Sequence, residues 1–121
     1  MSHTLETRDD GIVVVRAAGE VDAYNAPELR QVLEQARPEQ DARILVCLKQ
    51  VPYIDSTGLG VLVGVFKRTT ESGGQFVMCC AEPQVQKVFE ISGIDQLIEL
   101  HPDEESGLAA LRSAQGGTSD A

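Results

Sequence analysis

Tyr53-Ile54-Asp55-Ser56-Thr57-Gly58-Leu59-Gly60-Val61-Leu62-Val63-Gly64 is the stretch on which the reading of this chain turns. Asp55, Ser56 and Thr57 stand where a loop hands over to a segment with Leu59, Leu62, Val63 and Phe66 at helical spacing. Asp or Ser at such a step caps a helix by accepting a hydrogen bond from an otherwise unpaired amide. The same place suits a phosphate, because amides and the positive end of the helix dipole face it. Upstream, Ile44-Leu45-Val46-Cys47-Leu48 is a continuous apolar run of strand length, suited to a central strand covered on at least one face. Downstream, Ser72-Gly73-Gly74 stops the helix, and Phe76-Val77-Met78-Cys79-Cys80 reads as a second buried strand.

Working outward, the chain opens with an alternating segment at Leu5, the turn Asp9-Asp10-Gly11 and the β-branched Ile12-Val13-Val14-Val15, a predicted hairpin. Asn25-Ala26-Pro27-Glu28 has the form of a capping box opening a helix with Leu29, Val32, Leu33 and Ala36, which Pro38 stops. Pro83 opens a third helix with Val85, Val88 and Phe89, ending near Gly93. Leu97-Ile98-Glu99-Leu100 reads as a short edge strand, and Asp103-Glu104-Glu105 opens a last helix with Leu108 and Leu111. After the hairpin, strand and helix alternate, which predicts an α/β domain with a mixed sheet. The domain is placed at residues 1–113, with 114–121 as a polar tail without structure.

Three glycines, Gly58, Gly60 and Gly64, fall within the second helix. Each costs about 0.8–1 kcal/mol relative to Ala in a helix interior. Close packing on the sheet accounts for Gly64, four residues from Gly60. Gly58 and Gly60 point instead to a surface where a partner approaches the helix N-terminus.

The net charge of −9, with ten Lys and Arg scattered over 121 residues, argues against a nucleic-acid partner, which needs clustered cations. No apolar run approaches the ~20 residues that span a bilayer. Met1-Ser2-His3-Thr4-Leu5-Glu6-Thr7 has no basic stretch followed by an apolar one, so a cytoplasmic protein without a membrane partner is expected. With two Tyr, three Phe and no Trp, the core has to be built from Val, Ile, Leu and Ala. Cys47, Cys79 and Cys80 form an odd set inside apolar runs, where thiols behave as small buried hydrophobes. They show no Cys-x-x-Cys spacing, and both histidines lie near the chain ends, so no metal site, cofactor or disulfide is expected.

Catalysis is equally unsupported. Ser56 lacks a Gly-x-Ser-x-Gly elbow and a histidine to activate it. Asp55-Ser56-Thr57-Gly58 carries one residue more than an aspartic-protease motif and has no second copy. The glycine run is not a Gly-x-x-x-x-Gly-Lys-Ser/Thr loop.

Asp55-Ser56-Thr57-Gly58-Leu59-Gly60, preceded by Gly19-Glu20-Val21-Asp22, resembles the STAS domain of bacterial anti-sigma factor antagonists. The resemblance runs from about Leu5 to Leu111 and takes in Ala26-Pro27 and Phe89-Glu90-Ile91-Ser92-Gly93. It implies a mixed four- to five-stranded sheet with helices packed on one face. It also implies a partner that is both anti-sigma factor and ATP-dependent serine kinase, and a PP2C-type serine phosphatase that reverses the kinase. Ser56 falls on the phosphoacceptor position. Gly19, Glu20, Asp22, Asp55, Thr57, Gly58, Leu59, Gly60 and Val61 fall on the partner-binding surface. A two-component receiver domain shares the length and alternation, but it needs an acidic pair after its first strand and a lysine after its last. Here Asp9-Asp10 sit in a turn, and His101-Pro102-Asp103 follow the last strand. Other STAS roles, as scaffold or transport-accessory subunit, keep the fold and change the partner.

Overall fold

The computed structural model describes residues 3–37 and 41–120, with side chains described as far as Ser113. Strand β1 (Thr4–Thr7) turns through Arg8–Gly11 into β2 (Val13–Ala18), and the two pair antiparallel. Gly11 takes φ +86°, the left-handed geometry this turn requires. Helix α1 (Ala26–Gln35) then leads to β3 (Arg43–Gln50), α2 (Ser56–Glu71), β4 (Gln75–Cys79), α3 (Pro83–Ser92), a 3₁₀ turn (Ile94–Gln96), β5 (Leu100–His101) and α4 (Glu104–Asp120). The five strands lie in the order β1-β2-β3-β4-β5, and every pair after the hairpin is parallel. A hairpin beginning the sheet, with its acidic pair in the turn, is not the receiver arrangement, whose first strand lies inside a parallel sheet.

Alternation along the strands gives the sheet two buried faces. Val15, Ala17, Ile44, Val46, Leu48, Phe76 and Met78 face Leu29 and Leu33 of α1, Leu62 and Val65 of α2, and Val85 and Phe89 of α3. Ile12, Val14, Leu45, Cys47, Val77 and Cys79 face Leu108 and Leu111 of α4. Helices α1 to α3 thus share one face, as expected, whereas α4 closes the other. This is why β3 reads as an unbroken apolar run: a strand buried on both sides has no polar positions to alternate with. Arg16 of β2 fastens α4, donating from Nε and Nη2 to the two Glu104 oxygens at 2.9 and 3.0 Å.

Two local expectations change. Asn25 occupies the N-cap of α1 but makes no capping bond; its Oδ1 accepts instead from the Asp22 amide at 3.0 Å, so the capping box is not formed. The edge strand is shorter and later than predicted. Ile98 donates its amide to Ile94 at 2.8 Å, and both side chains are buried at a spacing of one helical turn, leaving only Leu100–His101 to pair. The predicted stop at Pro38 lies outside the described residues. The expected tail at 114–121 lies beyond the described side chains, although α4 itself is assigned to Asp120.

Candidate functional site

The site is built where two connections leave the carboxyl ends of β2 and β3. Gly19 donates its amide to Gln50, Val21 to Tyr53, and Asp55 to Val21, at 2.9, 2.9 and 3.0 Å. Val21 and Ile54 thereby form a parallel bridge that extends the sheet for one residue. Gly19 (φ +94°) starts the loop, a conformation that a side chain would strain. Asp22 is used inside this loop: its Oδ1 accepts from the Tyr24 and Asn25 amides at 3.0 and 3.2 Å.

Asp55 joins the two connections. It is the N-cap of α2, and its Oδ1 accepts from the Thr57 and Gly58 amides at 2.9 and 3.1 Å. Its Oδ2 accepts from the Ala23 amide at 3.1 Å, one residue from Asp22. Ser56 is the first residue of α2 and exposed, and its hydroxyl finds no hydrogen-bond partner among the described residues. The structural consequence differs from the expectation that a phosphate here meets open amides. The second and third amides of α2 are already held by a carboxylate, so a phosphate on Ser56 gains less from the helix end and lies beside a like charge.

The glycines exchange roles. A Cβ on Gly58 would lie 2.6 Å from Ile54 Cγ1 and 2.7 Å from Val21 Cγ1, so this buried glycine lets the helix sit on the bridge. It offers no surface to a partner. Gly60 faces open space, and a Cβ on Gly64 would meet no atom but the Arg68 guanidinium, at 3.5 Å. Packing therefore explains Gly58, and a close approach from outside is left for Gly60. Of the other expected partner residues, Glu20 and Thr57 are exposed, and Gly19, Asp22, Asp55, Leu59 and Val61 are half-buried.

Thr57 and Val61 also line a groove of about 410 Å³ between α1 and α2, opposite Ala23, Pro27, Arg30 and Gln31. Glu34 closes its far end, accepting from Arg37 Nη2 at 2.8 Å and Arg68 Nε at 2.8 Å. Burial raises its carboxyl, but the two guanidinium bonds prevail and hold it below the usual range. Tyr24, 95% exposed, and Tyr53, 51% exposed, flank the site. Sequence reasoning passed over both. The available signal was that two of the five aromatics stand in the polar connections rather than in apolar runs.

The three cysteines, read separately along the chain, are adjacent in space on the α4 side of the sheet, their sulfurs all within 4.8 Å of one another. Cys80 Sγ donates to Cys79 Sγ at 3.3 Å; the adjacent thiols shift one another, the neighbouring Cys79 lowering the Cys47 thiol while Cys79 itself is pushed up. Among the described residues no other group of three or more His, Cys, Asp or Glu is placed to hold an ion, and no helix is long and apolar enough to cross a membrane.

Comparison with known proteins agrees with this geometry. The STAS domain model matches residues 5–107. The anti-sigma-B factor antagonist of Bacillus subtilis (strain 168) is 38% identical over 101 residues, covering 84% of this chain and 92% of that one. The anti-sigma F factor antagonist of Paenibacillus polymyxa is 29% identical over 102 residues, covering 84% and 87%. The crystal structure of an anti-sigma factor antagonist from Mycobacterium paratuberculosis superposes with a TM-score of 0.83 at 25% identity, covering 92% of this chain and 93% of that one. A hairpin-led mixed sheet, an Asp-Ser-Thr-Gly step capping the second helix and a match over nearly the whole domain lead to one conclusion: this chain belongs to the STAS domain family.

Proposed function

We propose that this protein is an anti-sigma factor antagonist that acts by binding and catalyses nothing itself. Unphosphorylated, it docks on an anti-sigma factor that is also an ATP-dependent serine kinase, and the sigma factor held by that partner is released. Phosphorylation of Ser56 ends the interaction, and a PP2C-type serine phosphatase restores it. The exchange takes place in the cytoplasm. The observation that carries the proposal is the exposed, unpartnered Ser56 hydroxyl at the start of α2, between Asp55, which caps the helix, and Thr57, which lines the α1–α2 groove. The names of the relatives give the partner class.

The physical basis is charge. A phosphoserine adds about −1.5 to −2 charges at neutral pH. Asp55 is adjacent, and Asp22 lies on the loop that Asp55 holds. A docked partner removes the water that screens these charges, and like charges brought together at an interface cost several kcal/mol. Incubation with the cognate kinase and ATP, followed by mass spectrometry, is expected to place one phosphate on Ser56 and none on Ser56→Ala. Phosphate elsewhere, with Ser56 unmodified, would contradict the proposal.

A further inference from the structure

On the face of the sheet closed by α4, away from Ser56, the structure places three thiols that the switch does not use. Cys47 and Cys79 are register partners on β3 and β4, so their side chains stand side by side on one face. Cys80 follows directly, and in a regular strand it would point to the opposite face. Its backbone instead takes φ +66°, a left-handed conformation outside the ordinary range for a residue with a side chain. The result is a Cys80 sulfur 3.3 Å from that of Cys79. Backbone strain of this kind persists where the surrounding structure imposes it, and it concentrates at functional positions.

We propose that Cys47, Cys79 and Cys80 form a binding site for a thiophilic closed-shell cation, Cu⁺ in preference to Zn²⁺. Three thiolates in a trigonal plane around a metal at about 2.3 Å put neighbouring sulfurs about 4.0 Å apart. The 3.3 Å pair and the 4.8 Å limit of this cluster bracket that spacing, so ligation needs side-chain adjustments well under the size of a rotamer change. Cys47 and Cys79 are buried, and Cys80 is half-buried, which gives the ion one way in. The donor set decides the preference. Three soft sulfurs complete a trigonal Cu⁺ site, whereas Zn²⁺ requires a fourth ligand. Glu104 interacts with Cys47 but is not one of the clustered donors, and both its oxygens are engaged by Arg16. Each thiol that ligates loses its proton to solvent as its metal–sulfur bond forms, and no electron is transferred.

The test is a titration of the full-length, reduced protein under anaerobic conditions. Cu⁺ and Zn²⁺ are supplied separately against chromophoric competitors, with the thiolate-to-metal charge-transfer band followed in the ultraviolet. One Cu⁺ per chain with that band is expected, and weaker Zn²⁺ binding at the same thiols. Cys80→Ser, which changes a half-buried side chain at the strand end, is expected to weaken Cu⁺ binding by about 100-fold or more. Circular dichroism of the variant separates ligand loss from unfolding, and Cys47→Ser provides a second removal. Unchanged affinity in a folded Cys80→Ser, the absence of the band, or tighter Zn²⁺ than Cu⁺ would each overturn the proposal. So would oxidation to a Cys79–Cys80 disulfide as the cluster's sole reaction.

Discussion

At Gly58, two atoms decide what the residue is for. A methyl group there runs into Ile54 Cγ1 and Val21 Cγ1 at 2.6 and 2.7 Å, both on the short bridge that carries the site. Gly58→Ala is therefore expected to lower stability by about 1–3 kcal/mol, as overpacked core positions do. Gly60→Ala, facing open space, is expected to gain up to about 1 kcal/mol from helix propensity. Urea denaturation of the pair reads both signs, and equal changes would mean that the bridge yields. On the proposed function, Gly60→Ala should nevertheless weaken the kinase complex, because the added methyl would stand on the open face offered to the partner. Tyr24 belongs to this scale too. It is 95% exposed, so Tyr24→Ala should leave the unfolding midpoint in place while weakening the complex by about tenfold or more, as buried aromatic anchors do at interfaces. The motif was legible in the chain because Asp, Ser and Thr before a helical pattern have few physical meanings. The division of labour between Gly58 and Gly60 was not, since it depends on which way a helix faces, and one-residue changes in register rotate that by about 100°.

Elements show where sequence patterns succeed and where they mislead. The hairpin, the two central strands and the starts of α2 and α3 follow from turn chemistry and apolar runs. The edge strand expected from Leu97 begins only at Leu100 because Ile94 and Ile98 bury at helical spacing, and within a few residues such a pair resembles alternation. The last helix was legible as a helix, but not its side of the sheet, because a doubly buried strand carries no mark of which face is which. That placement rests partly on the Arg16–Glu104 pair. The Arg16 hydrogen bonds hold the Glu104 carboxyl below its usual value of 4.5. A carboxyl lowered in the folded state stabilises the fold above its unfolded pKa, and this contribution fades as pH falls through the folded value. Glu104→Gln should thus cost about 1 kcal/mol near pH 7, given partial exposure of the pair. The difference from the parent should shrink as pH drops below about 4. Urea midpoints for both proteins across that range check it, and a difference independent of pH would assign the loss to packing rather than charge.

As a whole, the molecule is a sheet covered by helices on both faces, with the candidate site at the carboxyl ends of its inner strands β2 and β3. Three helices on one side and α4 on the other leave the carboxyl ends of β2 and β3 to carry Ser56, so the proposed phosphorylation would change a surface without opening the core. The second face is essential to this. Leu111 is 1% exposed between α4 and the sheet, and Leu111→Ala should cost about 2–5 kcal/mol, read as a lower thermal midpoint. An unchanged midpoint would mean that α4 does not close the fold. The acidic balance of the chain argues against nucleic acid as a partner but carries no information about which protein replaces it. The most direct test of the account is isothermal calorimetry of the unmodified and Ser56-phosphorylated forms against the cognate anti-sigma kinase, with circular dichroism of each. The account predicts two folded proteins, of which the phosphorylated one binds at least about 100-fold more weakly, a difference of about 2.7 kcal/mol. Equal affinity of two folded forms would contradict it.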